Sequence, residues 1–130
     1  MFTRKAFVQP LITLVLATST VLAISPALAA TDFPTGTYAA KGVAETVTFG
    51  DGQLLVNRGG VMKDKADYTV KGDQLQLTDK SGPWACTKAG EQTGTYHWKY
   101  DSGILAFSKI ADKCEGRAAW LTKYSWKKQK

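Results

Sequence analysis

The chain of 130 residues contains little of what most enzymes use for catalysis: one histidine, His97, and two cysteines, Cys86 and Cys114. These three side chains are too few for a structural zinc site, which needs four protein ligands. The sequence also lacks a Gly-x-Ser-x-Gly elbow and a phosphate-binding loop. Its eleven acidic residues leave a catalytic carboxylate pair geometrically possible, but no spacing singles one out. We therefore expect no metal, no cofactor and no enzymatic activity.

Acidic residues are missing from the first 29 positions, and this absence points to a targeting segment. Two basic residues within the first five precede a largely apolar stretch over residues 6–24, and Ala27 and Ala29 supply small residues at −3 and −1 of a cleavage site. We predict a signal peptide over residues 1–29. The alternative is a retained membrane anchor, but the apolar stretch is short for a span of about 20 residues. No cysteine follows the cleavage site directly, which argues against a lipoprotein.

Export to the periplasm or the extracellular space would place both cysteines in an oxidising compartment. An even number of cysteines in an exported chain indicates a disulfide, here Cys86–Cys114. A free catalytic thiol would leave the second cysteine unexplained. Closing this loop should stabilise the domain by roughly 3–4 kcal/mol, if the entropy of the unfolded chain dominates.

A basic face is also missing, although the formal net charge is +6. Residues 30–122 carry 11 basic and 11 acidic side chains, and four lysines lie in the last eight residues. The positive charge therefore belongs to the C-terminal end, with a basic tail at residues 127–130, and we expect no nucleic-acid partner. Such a tail is typically solvated, although it could contact anionic lipid or wall polymers.

Long helical periodicity is absent after residue 30, and alternation of apolar and polar residues takes its place. Glycine- and aspartate-containing turns separate the alternating segments, as in the Asp-Gly turn at residues 50–52. We predict an all-β domain over residues 30–126, an antiparallel up-and-down barrel without open edges. The predicted strands lie around residues 37–40, 46–49, 53–57, 67–71, 74–78, 96–100, 104–108 and 120–126.

Four short motifs follow one another between residues 32 and 117. Residues 32–38 (DFPTGTY) resemble the opening of lipocalin barrels, with Tyr38 where lipocalins have tryptophan. Residues 82–86 (GPWAC), 94–98 (GTYHW) and 112–117 (DKCEGR) follow. In this order the motifs resemble those of small exported bacterial lipocalin-like proteins of uncharacterised function. The resemblance implies a lipocalin-like (calycin-type) barrel.

Aromatic side chains supply the candidate ligand site. Tyr96, Trp98 and Tyr100 alternate onto one face of a predicted strand, and Trp120 lies on the predicted closing strand. An eight-stranded barrel is either filled by side chains or holds one small ligand. Arg117 could bind an anionic group, although a structural pair with Asp112 at the barrel end is the simpler interpretation.

Three hypotheses of function follow from these patterns. The first is a non-enzymatic binding protein for a small apolar or amphipathic molecule in the barrel mouth, with Tyr96, Trp98, Tyr100, Trp120 and Arg117 as ligand-binding residues. The second is a protein-binding module, such as an inhibitor of an envelope or foreign hydrolase, because loops on a rigid barrel suit that role. An enzyme is the third. We expect a monomer without a transmembrane segment in the mature chain.

Overall fold

A computed structural model describes residues 32–130, so the predicted signal peptide and its cleavage site lie outside the described residues. The described chain forms a closed barrel in which all eight strands pair antiparallel with their sequence neighbours and β8 returns to β1. The all-β barrel predicted from the sequence is confirmed. The elements are β1 (Gly36–Ala39), β2 (Glu45–Gly50), β3 (Gln53–Arg58), β4 (Val61–Lys71), β5 (Gln74–Ser81), β6 (Thr93–Asp101), β7 (Ile104–Asp112), α1 (Glu115–Lys123) and β8 (Trp126–Lys128).

Alternation along the strands produces the barrel interior. Leu75 and Leu77 on β5 are buried, while their neighbours Gln74 and Gln76 are exposed. The interior faces of the other strands and of α1 join them in one core. Its largest fully buried members are Trp126, Tyr38, Tyr96, Phe49, Leu75, Leu77, Leu105, Leu121 and Val47.

The predicted Asp-Gly hairpin joins β2 to β3. Asp51 and Gly52 have φ values of 52° and 73°, which are the left-handed conformations that a two-residue type I′ turn requires. Ser102 and Gly103 repeat this arrangement between β6 and β7, with φ values of 50° and 82°. These turns and the β4–β5 turn lie at one end of the barrel together with residues 32–35; we call it the turn end.

The opposite end, which we call the helix end, contains the β3–β4 turn, the β5–β6 loop and α1. The prediction of a strand over residues 120–126 is wrong: residues 115–123 form a helix, and only Trp126 of the predicted segment belongs to β8. The helix buries Ala118 and Leu121, which are three residues apart and therefore share one helical face. Lys127 and Lys128, assigned to the tail from the sequence, pair with β1 as part of β8.

The predicted disulfide between Cys86 and Cys114 is confirmed. It joins the β5–β6 loop to the residue that precedes α1. The covalent link therefore holds two connections of the helix end together. No helix within residues 32–130 is long and apolar enough to cross a membrane.

Candidate functional site

An arginine from α1 organises the helix end of the barrel. The Arg117 guanidinium donates to both carboxylate oxygens of Asp112, from Nε at 2.8 Å and from Nη2 at 2.7 Å. Its Nη1 lies 2.9 Å from Oδ2 of Asp79 on β5. The same guanidinium donates to the carbonyl oxygens of Glu91 and Gln92. One cation thus joins β5, β7, α1 and the loop that precedes β6.

The two carboxylates of this network also hold the backbone beside the disulfide. Asp112 accepts a hydrogen bond from the amide of Cys114 at 2.8 Å, and Asp79 accepts one from the amide of Cys86 at 2.7 Å. The Tyr96 hydroxyl donates to Oδ2 of Asp112. These contacts confirm the expectation that Asp112 and Arg117 form a structural pair at the barrel end.

The ionisation of the network follows from its geometry. Burial alone would raise the pKa of Asp112, but hydrogen bonds from Arg117, Tyr96 and the Cys114 amide outweigh burial and hold that pKa below its usual value. The pKa of Tyr96 is raised by burial and by its hydrogen bond to Asp112. Asp112 is therefore a carboxylate and Tyr96 a neutral phenol at neutral pH.

A cavity of about 230 Å³ lies beside this network, between α1 and the barrel wall. Three strands contribute one face of it and the helix contributes the other, while Trp84 of the β5–β6 loop lies at its edge and is 44% exposed. The lining is mostly aliphatic and aromatic, with two charged side chains. It consists of Leu54, Val56, Asp64, Leu77, Trp84, Gly116, Arg117, Trp120 and Leu121.

Asp64 is the polar exception on the strand side of the cavity. Its residue surface is 9% exposed, and its Oδ1 atom has no hydrogen-bond partner among residues 32–130. Burial, and secondarily the negative charge of Asp79, raises the pKa of Asp64 to about 7. A carboxyl with this environment can be neutral or ionised near physiological pH, depending on what lies next to it.

The structure separates the residues predicted to bind a ligand. Arg117 and Trp120 line the cavity. Tyr96 is fully buried and belongs to the Arg117 network, whereas Tyr100 is 38% exposed. Trp98 lies toward the turn end, where its indole Nε1 donates to the carbonyl of Gly72 at 3.1 Å. The five side chains therefore do not surround one space.

The turn end, where Trp98 lies, is packed by the protein itself. The ring of Phe33 lies 4.9 Å from Phe49, 5.1 Å from Trp98 and 5.5 Å from Tyr68, measured between ring centroids. The contacts of Phe33 with Phe49 and Trp98 are edge-to-face, which is a favourable aromatic arrangement. The segment before β1 thus covers the barrel mouth that the sequence assigned to a ligand.

Asp64 and Asp79 were not identified from the sequence. Each sits on the interior face of its strand, in step with Ala66 on β4 or with Leu75 and Leu77 on β5. For both residues the available signal was an acidic side chain at an otherwise apolar position of an alternating strand.

Among residues 32–130 no group of three or more histidine, cysteine or acidic side chains is arranged to hold a metal ion.

Comparisons with models of protein families, with curated proteins and with solved structures found no match. The closed eight-stranded antiparallel barrel is consistent with a lipocalin-like fold. The geometry of the helix end is therefore the basis for considering function.

Proposed function

We propose that this protein is a non-enzymatic binding protein that holds a small, mostly apolar molecule in the cavity at the helix end. The observation that carries the proposal is the cavity itself, which combines an aliphatic and aromatic lining with the side chains of Asp64 and Arg117. Binding sites for small molecules typically pair apolar walls with a few well-placed polar groups.

The dimensions of the cavity limit both the ligand and its affinity. A volume of about 230 Å³ is below the ~300–1,000 Å³ typical of drug-sized sites, so the ligand is a small one. Burying ~200 Å² of apolar ligand surface gives roughly 5 kcal/mol before the costs of association. Micromolar to millimolar dissociation constants follow from that balance.

The proposal can be tested at two residues that line the cavity: Gly116 is substituted, and Trp84 reports binding through its fluorescence. A Cβ added to Gly116 meets no atom within 4 Å, so Gly116→Leu narrows the cavity without displacing the backbone. Gly50→Leu is the matched control, because Gly50 is equally open but lies at the turn end. The binding of benzyl alcohol is followed by tryptophan fluorescence. We expect it to bind the wild type and the control with the same affinity, and Gly116→Leu with an affinity at least tenfold lower. Equal affinities for all three proteins would contradict the proposal.

An exposed apolar patch supports a second candidate, a protein-binding module such as a hydrolase inhibitor. Val61, Met62 and Trp84 are large and exposed. Trp84 lies beside the start of β4, which carries Val61 and Met62, because the Trp84 amide donates to the carbonyl of Lys63 at 3.0 Å. Exposed apolar patches often mark protein contacts. Inhibition of a purified protease or glycosidase that is lost in Trp84→Ala but kept in Gly116→Leu would favour this function over the first.

The compartment is part of the same proposal. We infer export through the signal peptide at residues 1–29 to the periplasm or beyond, and the Cys86–Cys114 disulfide supports an oxidising environment. The intact mass of exported material tests this inference. A chain that begins at Ala30 or Thr31 is expected, and a chain that retains residues 1–29 would contradict it.

A further inference from the structure

The charges of the buried groups at the helix end do not balance. Three buried or nearly buried carboxyl groups, those of Asp64, Asp79 and Asp112, lie around the single guanidinium of Arg117. Arg117 makes direct contact with Asp79 and Asp112 but is not hydrogen-bonded to Asp64. Asp64 is thus the carboxyl that the protein leaves without a direct cationic partner within residues 32–130.

The position of Asp64 turns this imbalance into a recognition feature. The residue is only 9% exposed, lines the cavity and has an Oδ1 atom without a partner among the described residues. A buried polar atom without a hydrogen bond is costly, so a ligand that donates to it recovers that cost. A positively charged donor recovers more than a neutral one, because it also meets the excess negative charge of the carboxyl cluster.

The cavity also has aromatic walls suited to a cation. Trp84 and Trp120 both line it, and indole rings attract ammonium groups through their π faces. Trp84 already takes part in such a contact, since the ammonium of Lys63 lies 6.0 Å from its ring centroid. Lys63 forms no ion pair with Asp64, which leaves that carboxyl for an incoming group.

From these observations we propose that the ligand of the helix-end cavity is a small organic cation, a protonated amine with an apolar body, and that Asp64 is its counter-ion. The inference rests on the proposed binding function and adds the chemical class of the ligand. In this arrangement the ammonium group contacts Asp64, and the apolar body lies against Leu54, Val56, Leu77 and Leu121. Arg117 stays in its structural network. Because its charge is already paired, it attracts an anionic ligand less than the carboxyl groups repel one.

The protonation of Asp64 gives the binding a predictable pH dependence. The charged groups around this carboxyl are Asp79 on β5 and Arg117 on α1, with Asp112 on β7 behind the arginine. A cation binds the ionised form of Asp64. Because the pKa of Asp64 is about 7, this carboxyl must lose a proton before it can bind a cation at a lower pH. The affinity for a cation therefore weakens as the pH falls below 7, by up to about tenfold per pH unit.

Three probes of nearly equal size separate the possibilities: benzylammonium, benzyl alcohol and benzoate, titrated by calorimetry against the wild-type protein. Benzylammonium keeps its charge across about pH 5.5–8, so any pH dependence in that range belongs to the protein. At pH 8 we expect it to bind about tenfold or more tightly than benzyl alcohol, and benzoate to bind most weakly. This advantage should decline toward pH 5.5.

Two variants assign the preference to one side chain. Asp64→Asn should remove the advantage of benzylammonium over benzyl alcohol and the pH dependence of that advantage. Asp67→Asn is the matched control on the same strand, because Asp67 is exposed and pairs with Lys80 at 3.7 Å; it should behave as wild type.

The outcomes separate this inference from the function on which it rests. Equal binding of the three probes by wild type, or a preference for benzoate, would overturn the cationic ligand and leave a binder of apolar molecules. Failure of all three to bind would overturn both. The comparison of probes and the pH profile use only the wild type, so they decide the question even if Asp64→Asn does not fold.

Discussion

Arg117 and Asp112 form a bidentate ion pair in which the two side chains are 8% and 0% exposed. Arg117 lies in the first turn of α1 and Asp112 is the last residue of β7, so the pair fixes the angle at which the helix leaves the barrel. Asp79 on β5 contacts the same guanidinium at 2.9 Å. The helix end is therefore held by charge pairing and a disulfide, and the cavity lies beside these fixed groups.

Removing Arg117 should be strongly destabilising. Arg117→Ala leaves Asp79 and Asp112 buried without their cation, and breaking a buried pair in this way costs about 3–5 kcal/mol. Urea unfolding followed by circular dichroism measures the loss. Arg58→Ala is the control, because Arg58 is 55% exposed and lies 3.6 Å from Glu45; it should cost less than about 1 kcal/mol. A similar small loss for both variants would refute the structural role of Arg117.

Gly94 lies where the network has no room for a side chain. A Cβ on Gly94 would be 2.3 Å from Oδ2 of Asp112 and 3.1 Å from Nη2 of Arg117. Gly94→Ala must displace this pair and should destabilise by about 1–3 kcal/mol. Gly50→Ala meets no atom within 4 Å and should change the free energy of unfolding by less than about 0.5 kcal/mol. Equal melting temperatures for the two variants would show that the pair does not constrain this position.

Reducing the disulfide should weaken the fold without abolishing it. Cys86 and Cys114 are 28 residues apart, and opening that loop costs about 3–4 kcal/mol on the loop-entropy account. The hydrogen bonds from the Cys86 and Cys114 amides to Asp79 and Asp112 do not depend on the sulfur atoms. We expect a lower midpoint of urea unfolding in the presence of reductant.

The double variant Cys86→Ser, Cys114→Ser provides the control for that measurement, because reductant should not shift its unfolding midpoint. Alkylation supplies the opposing outcome. Two reactive thiols in the folded, unreduced protein would show that the disulfide is absent.

Asp64 should make the protein less stable as the pH rises. Its pKa is about 7 in the folded protein and near 3.8 when unfolded, so the folded state binds more protons between these values. The free energy of unfolding contributed by Asp64 is highest below about pH 4 and is lost as the pH rises through 7. Asp64→Asn should therefore be more stable than wild type by on the order of 2 kcal/mol at pH 8 relative to pH 5.

Chemical denaturation of Asp64→Asn, Asp67→Asn and the wild type at both pH values tests this sign. The exposed Asp67 should show no such difference. A stability gain for Asp64→Asn at pH 5 that equals the gain at pH 8 would mean that the carboxyl does not change protonation in this range.

The barrel could be predicted from the sequence because the strands show a local alternation of apolar and polar residues. Leu75 and Leu77 alternate with polar neighbours, and the Asp51-Gly52 pair is typical of a tight β-hairpin turn. The helix could not be predicted in this way. Its N-cap is Cys114, which makes no side-chain capping bond, and Asp112 outside the helix accepts the Cys114 amide instead. The alternation of aromatic residues between Trp120 and Trp126 led to the wrong prediction of a strand.

The candidate site was predicted only in part, for a physical reason. Trp120 and Arg117 line the cavity, but its other walls come from β3, β4 and β5, which only the closed barrel brings beside α1. Trp98 follows the predicted alternation, yet Phe33 from the segment before β1 occupies the space beside it. Such long-range placement has no local pattern in the sequence.

The most direct test of the account is the location of a bound ligand. A titration with benzylammonium, followed by the methyl resonances of isotope-labelled protein, compares the two ends of the barrel. The account predicts saturable shifts at Leu54, Val56, Leu77 and Leu121, which line the helix-end cavity, and none at Val70 or Leu105. Shifts confined to Val70 and Leu105, or no saturable shifts at all, would contradict it.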